Sequence, residues 1–251
     1  MKTNERFLEA LRYMNTTMQA DDKAGHQWRY TNNQSKKVVG FNKKRKQGKY
    51  YSNCVDGVQD GLLLAGVPAS ALHWYGTVGE IAWTKANGKE EAKKYFSIKK
   101  TGGKTVNQLY KESFLCDGDI LLGFQNVSHT CAYIGNGKSF DSGHTWCSPR
   151  SGNEAKYKKW IGSLTCKTSK VNYILRLKDR AHYRVQAGAY TDRDKYNEQA
   201  VLLRKKGFSV TMIQEDGMYK AQVGYFSGKT NAERLLASLA KKGFSAFMKE
   251  V

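Results

Sequence analysis

Apolar residues recur at helical spacing in two stretches of the N-terminal half of the chain. In residues 1–19 they are Phe7, Leu8, Leu11, Met14 and Met18. From residue 55 onward they are Val55, Val58, Leu62 and Ala65, with Leu63 and Leu64 widening the stripe. Each stripe predicts a helix with one buried face, and the second helix is expected to end near Gly66-Val67-Pro68. Ser52 or Asn53 can cap its start.

Further along, the pattern changes from helical spacing to short apolar runs that predict strands. The runs are 116–122, 129–134, 139–144 and 173–177, and Gly135-Asn136-Gly137-Lys138 predicts a hairpin between the second and third. Helices followed by an antiparallel sheet predict an α+β domain over residues 1–177.

The last part of the chain contains an internal repeat. Residues 183–188 match 219–224, and residues 205–209 match 241–245, both 36 positions later. Each copy has the pattern strand, helix, strand, so two copies predict a small ferredoxin-like βαββαβ domain over residues 183–251. Strand alternation directs Tyr183, Val185 and Ala187 toward the helices, and Arg184, Gln186 and Gly188 onto the open face of the sheet.

The charge balance predicts a polyanionic partner. The formal net charge is +20, with 42 basic and 22 acidic residues, which suits nucleic acid, anionic lipid or the anionic polymers of a bacterial wall. The basic runs at 36–37 and 43–46 are expected to be a solvated loop face. The lysine-rich stretch 85–112 is expected to be a surface insertion, and its contact with anionic wall polymers is left open.

Five cysteines without a C-x-x-C pair do not form a disulfide framework, which favours a reducing compartment at synthesis. Residues 1–19 lack the features of a secretory signal, and no run is apolar enough to span a membrane. We therefore expect synthesis in the cytosol, no membrane insertion, and a separate export route for any action outside the membrane.

Cys54 is the candidate nucleophile, because it falls in the first turn of the second helix, where the helix dipole favours a thiolate. His129 is the candidate base, and Asp141 or His144 would orient it. A strict two-residue turn at Asn136-Gly137 places His144 on the His129 face. A bulge with Gly137 in the left-handed conformation places Asp141 there instead, and the residues alone leave both open.

The segments Asn53-Cys54-Val55, Gly118-Asp119-Ile120-Leu121 and His129 with 132–138 resemble the NlpC and CHAP families of papain-like cell-wall peptidases and amidases. In the NlpC pattern the third polar residue has the spacing of Asp141. The resemblance implies a Cys-His-Asp mechanism without a cofactor, acting on an amide of peptidoglycan. That family usually has Asp-Cys-Ser-Gly at the nucleophile, whereas this chain has Asn53-Cys54-Val55-Asp56. Both a stem-peptide endopeptidase and an N-acetylmuramoyl-L-alanine amidase therefore stay open.

The repeat around Val185-Gln186-Ala187-Gly188-Ala189-Tyr190 and 221–226 resembles a SPOR domain, which implies binding to the glycan strands of peptidoglycan. Gln186 and Gln222 would hydrogen-bond sugar hydroxyls and amides, and Tyr190 and Phe226 would offer flat apolar surfaces. Trp74 is a further substrate-binding candidate as the wall of a cleft. The whole combination resembles a bacteriophage endolysin, made in the host cytoplasm and released to the wall through a membrane pore.

Two other interpretations compete. The pairs His129/Cys131 and His144/Cys147 would supply four ligands for a zinc-dependent amidase, although their spacing matches no recognised zinc pattern. A non-enzymatic polyanion binder would also fit the charge. However, the strands that would need an RNA-recognition motif lack it, so nucleic acid is not the expected partner.

Overall fold

The computed structural model describes residues 1–30, 38–72, 90–124, 127–141, 155–156, 160–164 and 167–251. These residues form a mixed arrangement of helices and sheets in two compact units, Met1–Asp179 and Arg180–Val251. We call them the N-terminal and C-terminal units. In the described residues, no helix is long and apolar enough to cross a membrane.

The N-terminal unit contains both predicted helices. Its helices are α1 (Thr3–Lys23), α2 (Phe41–Lys46), α3 (Cys54–Leu64), α4 (Glu90–Tyr95) and α5 (Val106–Lys111). α1 and α3 approach closely at Gly61, where an added Cβ would lie 2.6 Å from Leu11 Cδ2. A glycine at this position therefore lets the long first helix pack directly on the helix that begins at Cys54.

Two sheets belong to this unit. Their strands are β1 (Arg29–Tyr30), β2 (Tyr51–Ser52), β3 (Phe96–Lys100), β4 (Ile120–Phe124), β5 (Val127–Gly135), β6 (Lys138–Phe140), β7 (Ala155–Lys156), β8 (Ile161–Ser163) and β9 (Val171–Leu177). The small sheet has the order β2-β1-β7, and the large antiparallel sheet has the order β3-β9-β4-β5-β6-β8.

Both faces of the large sheet are buried, which agrees with the continuous apolar runs in its central strands. One face packs against α1 and α3 in a first core that includes Phe7, Leu11, Val58, Leu62, Ile120, Leu122 and Ala132. The other face packs against α5 in a second core that includes Val106, Leu109, Leu121, Cys131 and Tyr133.

The prediction that residues 85–112 form a surface insertion was wrong for residues 90–112. This segment forms α4, β3 and α5, and β3 pairs with β9 along its whole length. Phe96, Val106 and Leu109 are buried. The sequence pattern did not reveal these buried apolar positions, because many lysines occupy the solvent-facing positions between them.

The prediction that residues 43–46 form a solvated face was wrong for Lys44. Its side chain is 2% exposed, and Nζ lies 2.6 Å from Asp60 Oδ2 of α3. Lys44 follows Phe41 by three positions in α2, so helical periodicity turns both residues inward. Arg45 pairs with Asp21 at 2.8 Å.

The C-terminal unit contains β10 (Tyr183–Tyr190), α6 (Arg193–Lys205), β11 (Thr211–Glu215), β12 (Met218–Phe226), α7 (Lys229–Lys241) and β13 (Phe247–Glu250). Its antiparallel sheet has the order β11-β12-β10-β13, which is the order expected for the βαββαβ arrangement. Both helices pack on β10 and β12, so the other face of the sheet is left without a helix.

Candidate functional site

Cys54 is the first residue of α3. Asn53 is its N-cap, and the Asn53 side-chain oxygen accepts a hydrogen bond from the Asp56 backbone N–H at 2.8 Å. The cysteine is 5% exposed, and its sulfur lies at the positive end of an eleven-residue helix. This position stabilises a thiolate over a thiol.

The structure brings three of the predicted residues into one chain of contacts. The His129 side chain is hydrogen-bonded to Cys54, and His129 Nε2 lies 2.9 Å from Asp141 Oδ2. Asp141 is buried, and its backbone N–H donates to the Trp160 carbonyl at 2.8 Å. This bond fixes the backbone from which the Asp141 carboxylate reaches His129.

The surroundings of His129 favour the charged form of its imidazole. Burial by itself lowers the pKa of His129, but the charge and hydrogen bond of Asp141 outweigh it, and contact with Cys54 adds to their effect. The pKa of His129 therefore lies well above its ordinary value. A protonated imidazole beside the sulfur is the partner that a thiolate nucleophile requires.

The hairpin between β5 and β6 contains the register slip of the bulged alternative. Asn136 (φ 49°) and Gly137 (φ 65°) form a two-residue turn that pairs Gly135 with Lys138. Tyr133 nevertheless pairs with Ser139, so Ile134 is an extra residue and the register slips by one. The slip occurs, but the bulge lies at Ile134 and not at Gly137 as the bulged alternative assumed.

A second irregularity lies at the other end of β5. Leu122 pairs with Thr130 and Phe124 pairs with Val127, so two residues of β5 lie opposite Gly123 alone. Strict alternation from Ala132, which faces the first core and α3, would turn His129 to the opposite face. A bulge changes side-chain direction locally, and this one precedes Thr130, so it accounts for the contact of His129 with Cys54.

Tyr30 is a member of the site that the sequence analysis missed. Its hydroxyl lies 3.9 Å from Cys54 Sγ. β1 pairs in parallel with β2, and the pairing of Tyr30 with Ser52 brings it beside the start of α3. A two-residue strand has too little pattern to be recognised in a sequence, so no signal there pointed to Tyr30.

The remaining candidates of this half are placed as follows. Trp74, His144 and Cys147 lie outside the described residues. Cys131 is fully buried in the second core beside Leu121 and Tyr133. Within the part of the chain that the structure describes, no group of three His, Cys, Asp or Glu residues is arranged to hold a metal ion.

In the C-terminal unit, the two predicted sugar-stacking rings do not lie on the open face. Tyr190 and Phe226 pack against the core beneath the helices. Each side chain occupies the space beside a glycine two residues earlier. A Cβ added at Gly188 would lie 2.4 Å from the Tyr190 hydroxyl oxygen, and one added at Gly224 would lie 2.4 Å from Phe226 Cε2. The prediction of flat exposed surfaces was therefore wrong, because bulges next to Gln186 shift the alternation of both strands.

Gln186 and Gln222 are paired directly across β10 and β12. Gln222 is half-buried, but Gln186 is only 2% exposed, and its Nε2 has no hydrogen-bond partner. Gln186 was expected to be accessible on the open face, and its burial corrects that expectation. A ligand reaches its amide only if neighbouring side chains move.

Comparison with known proteins bears on this unit. A family model described as SPOR domain matches residues 179–250. The C-terminal unit is a SPOR domain. A solved structure similar to this chain is the peptidoglycan binding domain of the B. subtilis cell wall lytic enzyme CwlC, with 33% identity and a TM-score of 0.28. That match covers 30% of this chain and 96% of the other. No curated protein matches the chain.

The open face of the SPOR domain carries two exposed aromatic residues that the sequence analysis did not select. Tyr225 is 54% exposed and Phe247 is 52% exposed. They pair across the sheet with Arg184 and Gln186, respectively, so they share the face that the helices leave uncovered. The Tyr225 ring stacks on His182 with 5.3 Å between ring centroids.

Two cations on the same face are neutralised locally. Glu215 contacts both Arg184 Nη1 at 3.1 Å and Lys220 Nζ at 3.0 Å. Lys220 also contacts Asp216 at 2.8 Å. This face of the SPOR domain therefore presents two exposed aromatic rings beside cations that Glu215 and Asp216 partly neutralise.

Proposed function

We propose that this protein is a cysteine-dependent peptidoglycan hydrolase that cleaves an amide bond and uses its SPOR domain to bind the wall. The observation that carries the proposal is the contact of Cys54 with His129 and of His129 with Asp141. SPOR domains bind peptidoglycan, so a nucleophile of this kind on the same chain has an amide-rich polymer within reach.

The chemistry would be acyl transfer. The Cys54 thiolate attacks an amide carbonyl carbon, and negative charge develops on the carbonyl oxygen. The Cys54 backbone N–H at the start of α3 and the Tyr30 hydroxyl are the donors available to that oxygen. His129 then gives its proton to the leaving amine, the C–N bond breaks, and a thioester remains.

Water completes the cycle. His129, now neutral, takes a proton from water as the water oxygen attacks the thioester carbonyl, and the thiolate leaves with a carboxylate as the second product. Asp141 would hold the imidazole in the required orientation and stabilise its charged form. Each step uses only groups of this protein and water.

The fold of the N-terminal unit supports the same assignment. A helix with the nucleophile at its first residue packs on an antiparallel sheet that carries the histidine. We propose that this unit is a papain-like domain of the NlpC and CHAP kind. The bond cleaved is either within the stem peptide or between muramic acid and L-alanine.

The setting that we propose is that of a phage endolysin: synthesis in the host cytoplasm and access to the wall through a membrane pore. The resemblance of the two halves to a wall hydrolase and a wall-binding module supports it. Expression in a bacterial host should cause lysis only when a pore-forming protein is produced together with it. Lysis without the pore would contradict this part of the proposal.

The main test is digestion of purified sacculi followed by mass spectrometry of the released fragments. The Cys54→Ala variant should lose about 10³-fold or more of the activity, while it still sediments with sacculi. Cys116→Ala is the matched control, because Cys116 is a similarly buried thiol of the same unit. Undiminished release by Cys54→Ala, or activity abolished by a chelator, would rule out the thiol mechanism.

A further inference from the structure

Two segments of the N-terminal unit contain no acidic residue, although the chain has 22. They are residues 92–111 and residues 155–178, and together they contain twelve lysines. The proposed hydrolysis uses none of these lysines. A surface that concentrates one sign of charge in this way attracts ions of the opposite sign.

The two segments are joined in the fold. The Asn107 N–H donates to the Lys167 carbonyl at 2.9 Å, and the Val171 N–H donates to the Lys104 carbonyl at 3.1 Å. β3 pairs with β9 directly beside these bonds, with Lys100 opposite Tyr173. The backbone therefore gathers five lysines at one edge of the sheet, which we call the lysine edge: Lys99, Lys100, Lys104, Lys167 and Lys170.

The charges of the lysine edge are largely available. Lys104 pairs with Glu112. The other four lysines are exposed, and among the described residues none of them forms an ion pair. Like charges held close together repel one another, and this cost is recovered when a polyanion binds.

The composition of the edge indicates the kind of polyanion. Among the described residues of the two segments, none is an exposed large apolar residue. The described surface around the lysine edge therefore lacks both the apolar anchor of a membrane-binding surface and the aromatic platform of a single-strand binder. Lysines alone act as point charges that suit a chain of phosphates without selecting a base. A flexible phosphodiester chain fits these properties.

We propose that the lysine edge binds the phosphodiester-linked polyol polymers of the bacterial wall. The identity of the polymer rests on the proposed function, which places the protein at the wall. The lysine edge would then supply a second wall contact, chemically distinct from that of the SPOR domain. Two linked contacts raise the overall affinity beyond that of either alone.

The test uses full-length protein that carries Cys54→Ala, so that the sacculi stay intact. One variant adds Lys99→Gln, Lys100→Gln and Lys170→Gln. The control adds Lys23→Gln, Lys43→Gln and Lys46→Gln, three exposed lysines of the same unit outside the edge. Binding is measured against salt on sacculi that retain their polyol phosphates and on sacculi stripped of them.

On polymer-bearing sacculi, log K should fall less steeply with log salt for the edge variant than for the parent. The magnitude of the slope should decrease by about 2, because the variant loses three phosphate contacts and each contributes about 0.7. The control should keep the slope of the parent, and stripped sacculi should not distinguish the two variants. Exposed Lys→Gln changes leave the fold intact, which the unchanged unfolding transition of both variants should show.

Equal slopes for the two variants would overturn the proposal, as would an equal loss on stripped sacculi. Tighter binding of duplex DNA than of polyol phosphate through the same lysines would also overturn it and assign the edge to nucleic acid. Because the protein used is inactive, these outcomes are independent of whether Cys54 performs hydrolysis. A failure of the hydrolase proposal would appear only in the digestion experiment.

Discussion

His129 Nε2 and Asp141 Oδ2 lie 2.9 Å apart, across a hairpin whose register has slipped by one residue at Ile134. Asp141 lies just beyond the end of β6, and the bulge opposite Gly123 redirects His129. Strand alternation alone therefore does not determine this pair. In the proposed mechanism, this contact keeps the imidazole charged beside the sulfur.

Asp141→Asn preserves the shape of the side chain but removes its charge. We expect the pKa of His129 to fall, because burial continues to lower it while the main opposing interaction is gone. The rate constant kcat should fall by about 10²–10⁴-fold. The alkaline limb of the pH profile should move to lower pH. Kinetics on soluble muropeptides over a pH range would measure both effects.

The same change has a defined effect on stability. A histidine with a raised pKa in the folded state contributes stability that is fully present below its unfolded pKa of about 6.5 and is lost as pH rises through the folded value. The difference in free energy of unfolding between wild type and Asp141→Asn should therefore shrink with increasing pH. A difference that grows with pH, or a pH profile that does not move, would contradict the assigned role of Asp141.

Tyr30→Phe should separate catalysis from binding. The variant keeps the ring but removes the hydroxyl that lies 3.9 Å from Cys54 Sγ. Loss of one donor to a developing oxyanion lowers kcat by about 10²-fold or more, while sedimentation with sacculi should not change. Tyr51→Phe is the matched control, because Tyr51 is a half-buried tyrosine of the adjacent strand β2. An unchanged kcat in Tyr30→Phe would remove this residue from the mechanism.

Sequence patterns identified the helix at Cys54 and the repeat of the SPOR domain because both are periodic. They did not locate the bulges at Ile134 and opposite Gly123, since a bulge is one extra residue in a pairing that no local pattern specifies. The sequence also suggested that Tyr190 and Phe226 were exposed. Their inward packing follows from irregular register in β10 and β12, which strict alternation cannot anticipate.

Lys44 shows a different limit of sequence analysis. A lysine in a basic run is usually solvated, but this one is buried against Asp60, which also accepts the Gly40 N–H at 2.9 Å. Burial raises the pKa of Asp60 to about 6, even though Lys44 opposes that shift. Lys44 therefore does not fully offset the effect of burial on the Asp60 carboxylate, and the pair joins α2 to α3.

Lys44→Met should destabilise the N-terminal unit by about 3–5 kcal/mol, because it leaves the Asp60 carboxylate buried without its cation. Lys44→Met combined with Asp60→Asn should cost clearly less, since the amide can still accept the Gly40 N–H. Tryptophan fluorescence during denaturant unfolding is the measurement. All five tryptophans lie in residues 28–160, so it reports on the N-terminal unit alone. A double variant as unstable as Lys44→Met would show that the unpaired charge is not the cause.

Gly188 and Gly224 occupy equivalent positions in the repeat but differ in backbone conformation. A Cβ at Gly188 would lie 2.4 Å from the Tyr190 hydroxyl oxygen, and a Cβ at Gly224 would lie 2.4 Å from Phe226 Cε2. Gly188 also has φ 109°, a region that L side chains rarely adopt, and Gly224 has no such restriction. The two glycines therefore allow steric overlap and backbone strain to be measured separately.

Gly224→Ala should destabilise the SPOR domain by about 1–3 kcal/mol through overlap with Phe226 and with Leu235, whose Cδ2 would lie 2.7 Å from the added Cβ. Adding Phe226→Leu should recover much of that loss, because the shorter side chain vacates the space above Gly224 and leaves only the flexible end of Leu235 to move. Gly188→Ala with Tyr190→Leu should recover less, because the strain at φ 109° remains. Amide hydrogen exchange over residues 183–250 of the full chain measures each change, and unchanged tryptophan fluorescence shows that the N-terminal unit is unaffected. Equal recovery in the two double variants would mean that overlap with the ring, and not backbone conformation, requires glycine at both positions.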